Sequence, residues 1–306
     1  MLIKTLLNTL LMAAVAIAIP GVINRLRARM AGRKGAPFFQ HLRDARLLAA
    51  KGSVYSDTTT LLFRVAPAVY LGAAAVALLF IPVADLEPLI SFEGDIICFA
   101  YTLALARAAL VLAAMDTGSS FEGMGASREA LYGALVEPAL MIGFATLAMF
   151  CGYTSFAEIF AVKQSFDLHL TLVMLLAAYL FLRITFVEAG RMPVEDPRTH
   201  LELTMIHEVM CLDYSGIDML MIRLGGWLKT AAFAMIAADA AATVTCFRWW
   251  FATPLAILLT GVSVAVVEST QARNKLSRNT TFMVTLSALA ALIFFIGYLL
   301  QLDINI

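Results

Sequence analysis

Charged residues are scarce in this chain: Asp, Glu, Lys and Arg make up 14% of its 306 residues, whereas hydrophobic residues make up 61%. This balance excludes an ordinary soluble globular domain, in which about a quarter of the residues are charged. Short segments of alternating apolar and polar residues, typical of membrane barrels, are also absent. A membrane protein built from helices remains.

Long apolar runs are what the sequence has in quantity. A helix needs about 20 mostly apolar residues to cross a bilayer. Eight segments qualify, at about 2–23, 63–84, 96–114, 131–152, 170–189, 226–247, 249–268 and 280–301. We therefore predict an all-α membrane protein with eight transmembrane helices.

Cysteine is equally sparse, and the four residues lie far apart: Cys98, Cys151, Cys211 and Cys246. No pair has metal-ligand spacing, so neither an iron–sulfur cluster nor a structural zinc site is expected on this chain. HEVMC at 207–211 has Cys211 where a zincin motif has its second histidine. GMGAS at 123–127 is interpreted as a glycine-bearing loop between helices. We predict no self-contained catalytic site and no metal site.

Positive charge is concentrated in alternate connections between the spans. Lys and Arg number eight in the first connection, one in the third, and three each in the fifth and seventh. The opposite side, with both termini, has only Lys4, Lys163 and Arg248. Because Lys and Arg are retained on the cytoplasmic side, we expect these four loops to be cytoplasmic and both termini to lie outside. The first run is interpreted as a retained span, since its basic residues follow it.

Ionisable residues in or at the ends of spans are costly and are candidates for function. They are Arg107, Glu129, Glu137, Arg183, Glu188, Lys229, Asp239 and Glu268. The two arginines and Glu268 are interpreted as structural or interfacial partners, and Lys229 as a side chain that reaches the interface. Asp239, at mid-span with no basic residue three or four positions away, and Glu137 indicate a polar interior.

The segment after the fifth span, EAGRMPVEDPRTHLELTMIHE at 188–208, combines many titratable groups. Glu188 and Arg191 are one helical turn apart and are predicted to pair, and Pro193 is predicted to end the span. Beyond Pro197 an amphipathic pattern predicts a short cytoplasmic helix, with His200 and His207 on the same stripe. The segment is either a solvated connector or the start of a proton or ion route.

The run EAGRMPVEDPRTHLELTMIHEVMCLDYSG resembles the signature loop of the subunit 1 family of respiratory complex I and its hydrogenase relatives. It is most similar to the membrane-anchor (H) subunit of group 4 membrane-bound nickel–iron hydrogenases and formate hydrogenlyase. RLRARMAGRKGAPFFQHLRDARLL, MDTGSSFEGMGASREALYGALVEPAL and ESTQARNKLS extend the resemblance along the chain. It therefore implies one integral membrane domain over residues 1–306.

The resemblance implies a non-catalytic membrane subunit that docks a hydrophilic electron-transfer arm and supplies buried carboxylates for proton or ion coupling. Arg191 is implied to keep Glu188 ionised. The path residues are Glu129, Glu137, Glu188, Arg191, Glu195, Asp196, Glu202, Glu208 and Asp213, with Asp239 added on physical grounds. The docking residues are Arg25, Arg27, Arg29, Arg43, Arg46, His200, His207 and Tyr214.

Its implied partners are hydrogenase-like large and small subunits, an iron–sulfur ferredoxin-like subunit, antiporter-like membrane subunits and the lipid of a prokaryotic cytoplasmic membrane, with no nucleic acid. The nickel–iron centre and iron–sulfur clusters are expected on those partners. No cofactor is expected on this chain itself, and whether it binds a lipid or a quinone is left open.

Two alternatives remain. One is subunit 1 of a quinone-linked NADH dehydrogenase, although Val194 and the segment from His200 to His207 depart from the complex I pattern. The other is a stand-alone ion transporter, for which the two halves show no evident internal repeat.

Overall fold

A computed structural model describes residues 2–83, 86–161, 168–195, 205–242, 248–272, 274 and 276–302. In these ranges the helices are α1 (Leu2–Met30), α2 (Gln40–Ala49), α3 (Leu61–Leu79), α4 (Asp95–Asp116), α5 (Ser120–Cys151), α6 (Phe156–Ala161), α7 (Leu168–Glu188), α8 (Gly216–Ala242), α9 (Arg248–Thr270) and α10 (Leu276–Gln301). A 3₁₀ turn, Val209–Cys211, precedes α8.

Eight of these helices are long and apolar enough to cross a membrane: α1, α3, α4, α5, α7, α8, α9 and α10. The predicted all-α membrane fold with eight spans is therefore confirmed. The two other helices are short. The sequence analysis did not predict α2, which lies in the arginine-rich first connection with His41 buried against Trp227 of α8.

Two spans begin about ten residues earlier than predicted, whereas the others begin within four residues of the predicted position. α5 starts at Ser120 instead of residue 131, so GMGAS is helical and its interpretation as a loop was wrong. α8 starts at Gly216 instead of residue 226. Hydropathy marks only the part of a helix that is apolar, whereas these first turns contain charged residues that other parts of the protein bury. The glycines of GMGAS do not prevent a helix here, because each costs only about 1 kcal/mol in a helix that packing stabilises.

The central helix of the bundle is α8, which contacts α1, α3, α7 and α9. From Ala231 to Ala242 nearly every side chain is buried, and most are alanine. Small side chains let helix backbones approach closely, which is the main source of helix association in a bilayer, where hydrophobic burial between helices adds little. Asp218, Lys229 and Asp239 of α8 are accordingly buried, whereas Arg223, nearer its start, is exposed.

The connection between α7 and α8 folds against α4 and α5. The predicted amphipathic helix does not extend through the described part of this connection, where residues 205–215 form turns and one 3₁₀ turn. Tyr214 is buried: its ring stacks on Phe63 of α3 at 4.0 Å, and its hydroxyl donates a hydrogen bond of 2.8 Å to the Phe63 carbonyl. The end of this connection is thus tied to the bundle.

Candidate functional site

Arg107 of α4 lies at the centre of a group of buried charges. Its Nε is 3.2 Å from Glu129 Oε1, its Nη1 is 2.5 Å from Glu137 Oε1, and its Nη2 donates to Glu188 Oε1. The first two carboxylates belong to α5 and the third to α7. A guanidinium offers five donors in a planar fork, so one arginine can bind three carboxylates in this way.

The spacing of residues along α5 forms a seat for this guanidinium. Glu129, Gly133 and Glu137 are four residues apart and therefore share one face of the helix. A Cβ at Gly133 would lie 2.5 Å from Arg107 Nη1, so glycine leaves the room that the guanidinium occupies. The sequence contained this signal as two acids and a central glycine at helical spacing, and the sequence analysis missed it.

Glu188 connects the group to the central helix. While Oε1 accepts from Arg107, Oε2 is 3.2 Å from Lys229 Nζ on α8, and both side chains are 6% exposed. Lys229 also lies 6.0 Å from the ring centre of Tyr70 on α3. Lys229 was interpreted as reaching the membrane interface, which was wrong, because Glu188 supplies its charge partner inside the bundle.

His207 connects the same group to the loop between α7 and α8. Its Nε2 is 3.3 Å from Glu129 Oε2 and its Nδ1 is 2.7 Å from Glu195 Oε2. Glu195 also accepts hydrogen bonds from the backbone N–H groups of Ile206, at 2.6 Å, and of His207, at 3.2 Å. One histidine thus bridges a loop carboxylate and a carboxylate of the membrane bundle.

In the bridge formed by Glu129, His207 and Glu195, the charge on each side chain stabilises the opposite charge on its neighbour. Burial by itself would lower the pKa of His207, but the carboxylates of Glu129 and Glu195 raise it above its ordinary value. Burial would likewise raise the pKa of Glu195, but the hydrogen bond and charge of His207, with the two backbone N–H groups, lower it. The bridge is therefore most favourable with His207 protonated and Glu195 ionised.

Together these contacts form an unbroken series that we name the ionic chain. In order of contact, it consists of Glu195, His207, Glu129, Arg107, Glu188 and Lys229, with Glu137 as a branch from Arg107. Glu137 is 47% exposed and opens onto the outer surface of the bundle, whereas the other carboxylates are at most 8% exposed. The ionic chain leads from the loop between α7 and α8 to the central helix, α8.

The bridge makes stability depend on pH. Because the folded pKa of His207 is raised, its contribution is complete below its ordinary pKa of about 6.5 and is lost as pH rises through the raised value. The contribution of Glu195, whose pKa is lowered, is present above its ordinary pKa of about 4.3 and is lost as pH falls through the lowered value. Both contributions are therefore present together from mildly acidic pH up to the raised pKa of His207.

We expect the melting temperature of the purified protein to fall by a few degrees as the pH rises through the raised pKa of His207. His207→Gln should remove this fall. His169→Gln, at an exposed position in the first turn of α7, is the matched control and should keep it. A melting temperature measured across pH that is the same for His207→Gln and wild type would contradict the assignment.

The predicted pair between Glu188 and Arg191 does not form. α7 ends after Glu188, and Gly190 has a φ of +57°, a left-handed conformation that glycine adopts readily. The N–H of Arg191 then bonds the carbonyl of Phe186 at 2.9 Å, as in a Schellman motif. The helix ends at this point, so Arg191 no longer follows the helical face of Glu188. The implied role of Arg191 in keeping Glu188 ionised was wrong, and Arg107 and Lys229 contact Glu188 instead.

Arg191 belongs to a second, separate cluster. Its Nη1 is 3.3 Å from Glu268 Oε1, and Arg27 Nη1 is 2.6 Å from Glu268 Oε2. Glu268, near the end of α9, is 3% exposed and holds both arginines. This Glu268 clamp joins α1, α9 and the connection after α7. Arg27 was predicted to dock the arm, but its charge is already used inside the protein.

The other predicted site residues divide into three groups. Asp239 is buried on α8 but ten residues, or about 15 Å, beyond Lys229, so it lies apart from the ionic chain. Glu208 and Asp213 are exposed on the loop. Asp196, Glu202 and His200 lie outside the described residues.

Among the predicted docking residues, four arginines of the first connection are exposed: Arg25, Arg29, Arg43 and Arg46. Tyr214 is buried against Phe63, so the interpretation of this residue as part of a docking surface was wrong. His207 is only 26% exposed and binds two carboxylates. Glu122 at the start of α5, which the sequence analysis did not assign, is fully buried and accepts a hydrogen bond of 3.0 Å from the backbone N–H of Asp213.

The chemistry available in the described ranges is that of charge and proton relocation. No group of three or more His, Cys, Asp and Glu side chains there is arranged to hold a metal ion. Burial raises the pKa of Cys211 to about 12, so this thiol is not a nucleophile at neutral pH. Ionisable groups in contact can instead shift charge along their series when one of them gains or loses a proton.

Fold and site together define an integral membrane protein in which a series of buried charges connects the helix bundle to the loop between α7 and α8. The sequence pattern of the NADH dehydrogenase family matches residues 3–300, and the chain belongs to that family. It is 32% identical over 224 residues to formate hydrogenlyase subunit 4 of Escherichia coli (strain K12), which covers 73% of this chain and 72% of the relative. It is also 32% identical over 217 residues to hydrogenase-4 component C of the same organism, covering 71% of this chain and 67% of the relative.

The fold has a counterpart among solved structures. A chain of the membrane-bound sulfane sulfur reductase, an archaeal respiratory membrane complex, superimposes with a TM-score of 0.75. The match covers 97% of this chain and 99% of that one, at 21% sequence identity. The arrangement of helices described above is therefore shared with a chain of that complex.

Proposed function

We propose that this chain is the membrane subunit of a hydrogenase-type redox complex, where it docks a hydrophilic electron-transfer arm and couples that arm to ion movement. The observation that supports the proposal is the ionic chain, which connects the loop between α7 and α8 to the central helix without a break. This loop lies at the end of the bundle that carries the arginine-rich first connection, which we call the basic end. Two relatives at 32% identity, formate hydrogenlyase subunit 4 and hydrogenase-4 component C, support partners of that class.

The coupling step that we propose begins at the loop. A charge change in the docked arm alters the proton affinity of His207, the member of the ionic chain with an ordinary pKa nearest neutrality. When His207 loses its proton, Glu129 loses one of its two cationic partners and depends more on Arg107. Arg107 then interacts less with Glu188, and the balance between Glu188 and Lys229 shifts in turn. A redox event outside the membrane thereby changes charge at the central helix.

The partners follow from the same proposal. They are hydrogenase-like large and small subunits, an iron–sulfur ferredoxin-like subunit and antiporter-like membrane subunits. We propose that nickel–iron and iron–sulfur groups are carried by these partners. We further propose a prokaryotic cytoplasmic membrane, with the first, third, fifth and seventh connections on the cytoplasmic side and both termini outside.

The decisive experiment is purification of the tagged chain in mild detergent, followed by mass spectrometry of the bound proteins and nickel and iron analysis. Recovery of hydrogenase-like and iron–sulfur subunits is the expected result. A chain that purifies alone, under conditions that preserve other membrane complexes, would contradict the proposal and favour the stand-alone transporter.

The exposed arginines of the first connection are the expected contact with the arm. Reversing Arg25, Arg29, Arg43 and Arg46 to glutamate should release most of the soluble subunits from membranes. The new carboxylates would face the acidic groups of the arm that these arginines are proposed to bind, and like charges across an interface repel. Arg27 is left unchanged, since its substitution would open the Glu268 clamp. Co-sedimentation of the soluble subunits with membranes is the measurement.

Replacing the same four residues with lysine is the matched control and should retain the arm, because the charge is preserved. Unchanged co-sedimentation after charge reversal would mean that these arginines serve lipid instead.

A further inference from the structure

A cleft of about 740 Å³ lies between α7, α9 and α10, and none of its lining residues belongs to the ionic chain. This volume is within the range of about 300–1,000 Å³ typical of sites for small molecules. One end is lined by polar groups at the basic end of the bundle, Gln271 and Asn274. The other end, at Leu259 of α9, lies about 16 Å deeper along that helix. The cleft is therefore a slot parallel to the spans.

Below its polar end the wall of the slot is mainly apolar, with Tyr179, Arg183 and Ser263 as its polar members. The apolar part is lined by Val262, Val266 and Val267 of α9 and by Phe186 of α7. Val262 and Val266 are 41% and 39% exposed, so their side chains are available to a ligand. Val262 and Leu259 lie about 12 and 16 Å from the end of α9, deeper than Arg183 on α7, and form an apolar surface that can accommodate an acyl chain.

Arg183 supplies a positive charge to the same wall. It lies on α7 five residues, or about 8 Å, before the helix ends at Glu188. Its guanidinium lies 4.3 Å from the ring centre of Phe282, and it donates a hydrogen bond of 3.0 Å to the Tyr179 hydroxyl. Its Nε is buried and has no hydrogen-bond partner among the described residues.

Among the residues that the structure describes, Arg183 has neither a carboxylate nor a backbone carbonyl as a partner, whereas Arg128, which is half-buried too and also lacks a carboxylate, donates a hydrogen bond of 2.9 Å to the Met205 carbonyl. In the described ranges Arg107, Arg27 and Arg191 each contact a carboxylate, whereas no carboxylate lies within ion-pair distance of Arg183. A cation inside a bilayer without a counter-charge is costly. At this depth, close to the end of a span, the phosphate of a lipid is the anion within reach of a long basic side chain.

We propose that this slot binds one anionic phospholipid, with its phosphate at Arg183 and an acyl chain along Val262 and Leu259 of α9. Gln271 and Asn274 lie where they can donate hydrogen bonds to the glycerol and headgroup oxygens. The guanidinium, which pairs with no carboxylate in the described part of the chain, favours a lipid, whose phosphate can adjust its position to Arg183, over a helix of another subunit, which would need a carboxylate at one fixed position. The inference does not depend on the proposed redox function.

The test is native mass spectrometry of the purified, delipidated complex after addition of phosphatidylglycerol or phosphatidylcholine. Wild type should retain one phosphatidylglycerol in preference to phosphatidylcholine. Arg183→Gln should lower that retention by roughly fivefold, the ratio expected when one basic residue no longer attracts an anionic headgroup. Arg183→Lys should retain most of it, since the charge is kept.

Arg64→Gln is the matched control, because Arg64 also lies near a helix end over a tyrosine ring, 4.8 Å from the centre of Tyr55, but belongs to α3. It should leave retention unchanged. A second variant, Val262→Trp, fills the slot while keeping Arg183, and it should displace the lipid even if Arg183→Gln fails to fold.

Three results would overturn the proposal. Equal retention of the two lipids would indicate adventitious lipid only. Unaltered phosphatidylglycerol retention in both Arg183→Gln and Val262→Trp would place the lipid elsewhere. Retention by the isolated chain but not by the complex would assign the slot to a helix of a partner subunit.

Discussion

Arg107→Gln is expected to prevent stable assembly of this subunit, because it removes the cation that Glu129, Glu137 and Glu188 share. Breaking a buried ion pair by removing one partner costs about 3–5 kcal/mol. Here three carboxylates lose a partner at once, and the total stability of a protein is only about 5–15 kcal/mol. The measurement is the amount of subunit in membranes, by immunoblot, together with the yield of the purified complex.

Arg64→Gln is again a suitable control, as an exposed arginine on α3 that contacts an aromatic ring. Arg107→Lys should assemble at an intermediate level, because an ammonium preserves the charge but not the planar fork. Wild-type amounts of Arg107→Gln in membranes would show that the three carboxylates are not held by this residue.

Glu188→Gln is expected to give the opposite combination: an assembled complex that has lost coupled turnover. With His207 protonated, the ionic chain contains three cations and four carboxylates. Removing the charge of Glu188 leaves equal numbers of each, whereas removing that of Arg107 leaves two more anions than cations. Glutamine has nearly the shape of glutamate and keeps one acceptor, so the packing around Lys229 should survive.

Coupled turnover is measured in membrane vesicles as the redox rate together with the ion gradient that it generates. Glu93→Gln, the same substitution at an exposed position between α3 and α4, should behave as wild type. If Glu188→Gln turns over and builds a gradient at the wild-type rate, Glu188 is a structural counter-ion and the coupling route does not pass through α7.

The fold was largely predictable, because a bilayer imposes a length and an apolar composition on each span. What hydropathy could not give was the start of α5 and α8, where helices continue into charged sequence such as Glu122 to Glu129. Nor could it reveal α2, whose amphipathic pattern lies in a polar connection. In each case contacts with other parts of the chain, which the local sequence does not contain, decide the outcome.

The candidate site was predictable as a set of acids but not as a set of pairs. Glu129, Glu137 and Glu188 were all assigned to the path, and the structure brings them together. Their cations were misjudged, because Arg107 and Lys229 are distant in sequence and no spacing rule links helices that meet only in the folded bundle. The pairing of Glu188 with Arg191 assumed a continuous helix, which Gly190 interrupts.

The Glu268 clamp also has a consequence for biosynthesis. Glu268 is 241 residues from Arg27, so at about 5–20 residues per second roughly 10 to 50 seconds of translation separate the two. Throughout that interval the first span is present in the membrane without the residue that fixes its basic end. Arg27 and Arg191 therefore contact water or lipid headgroups until the seventh span has been synthesised. Closure of this end of the bundle is consequently a late step in maturation.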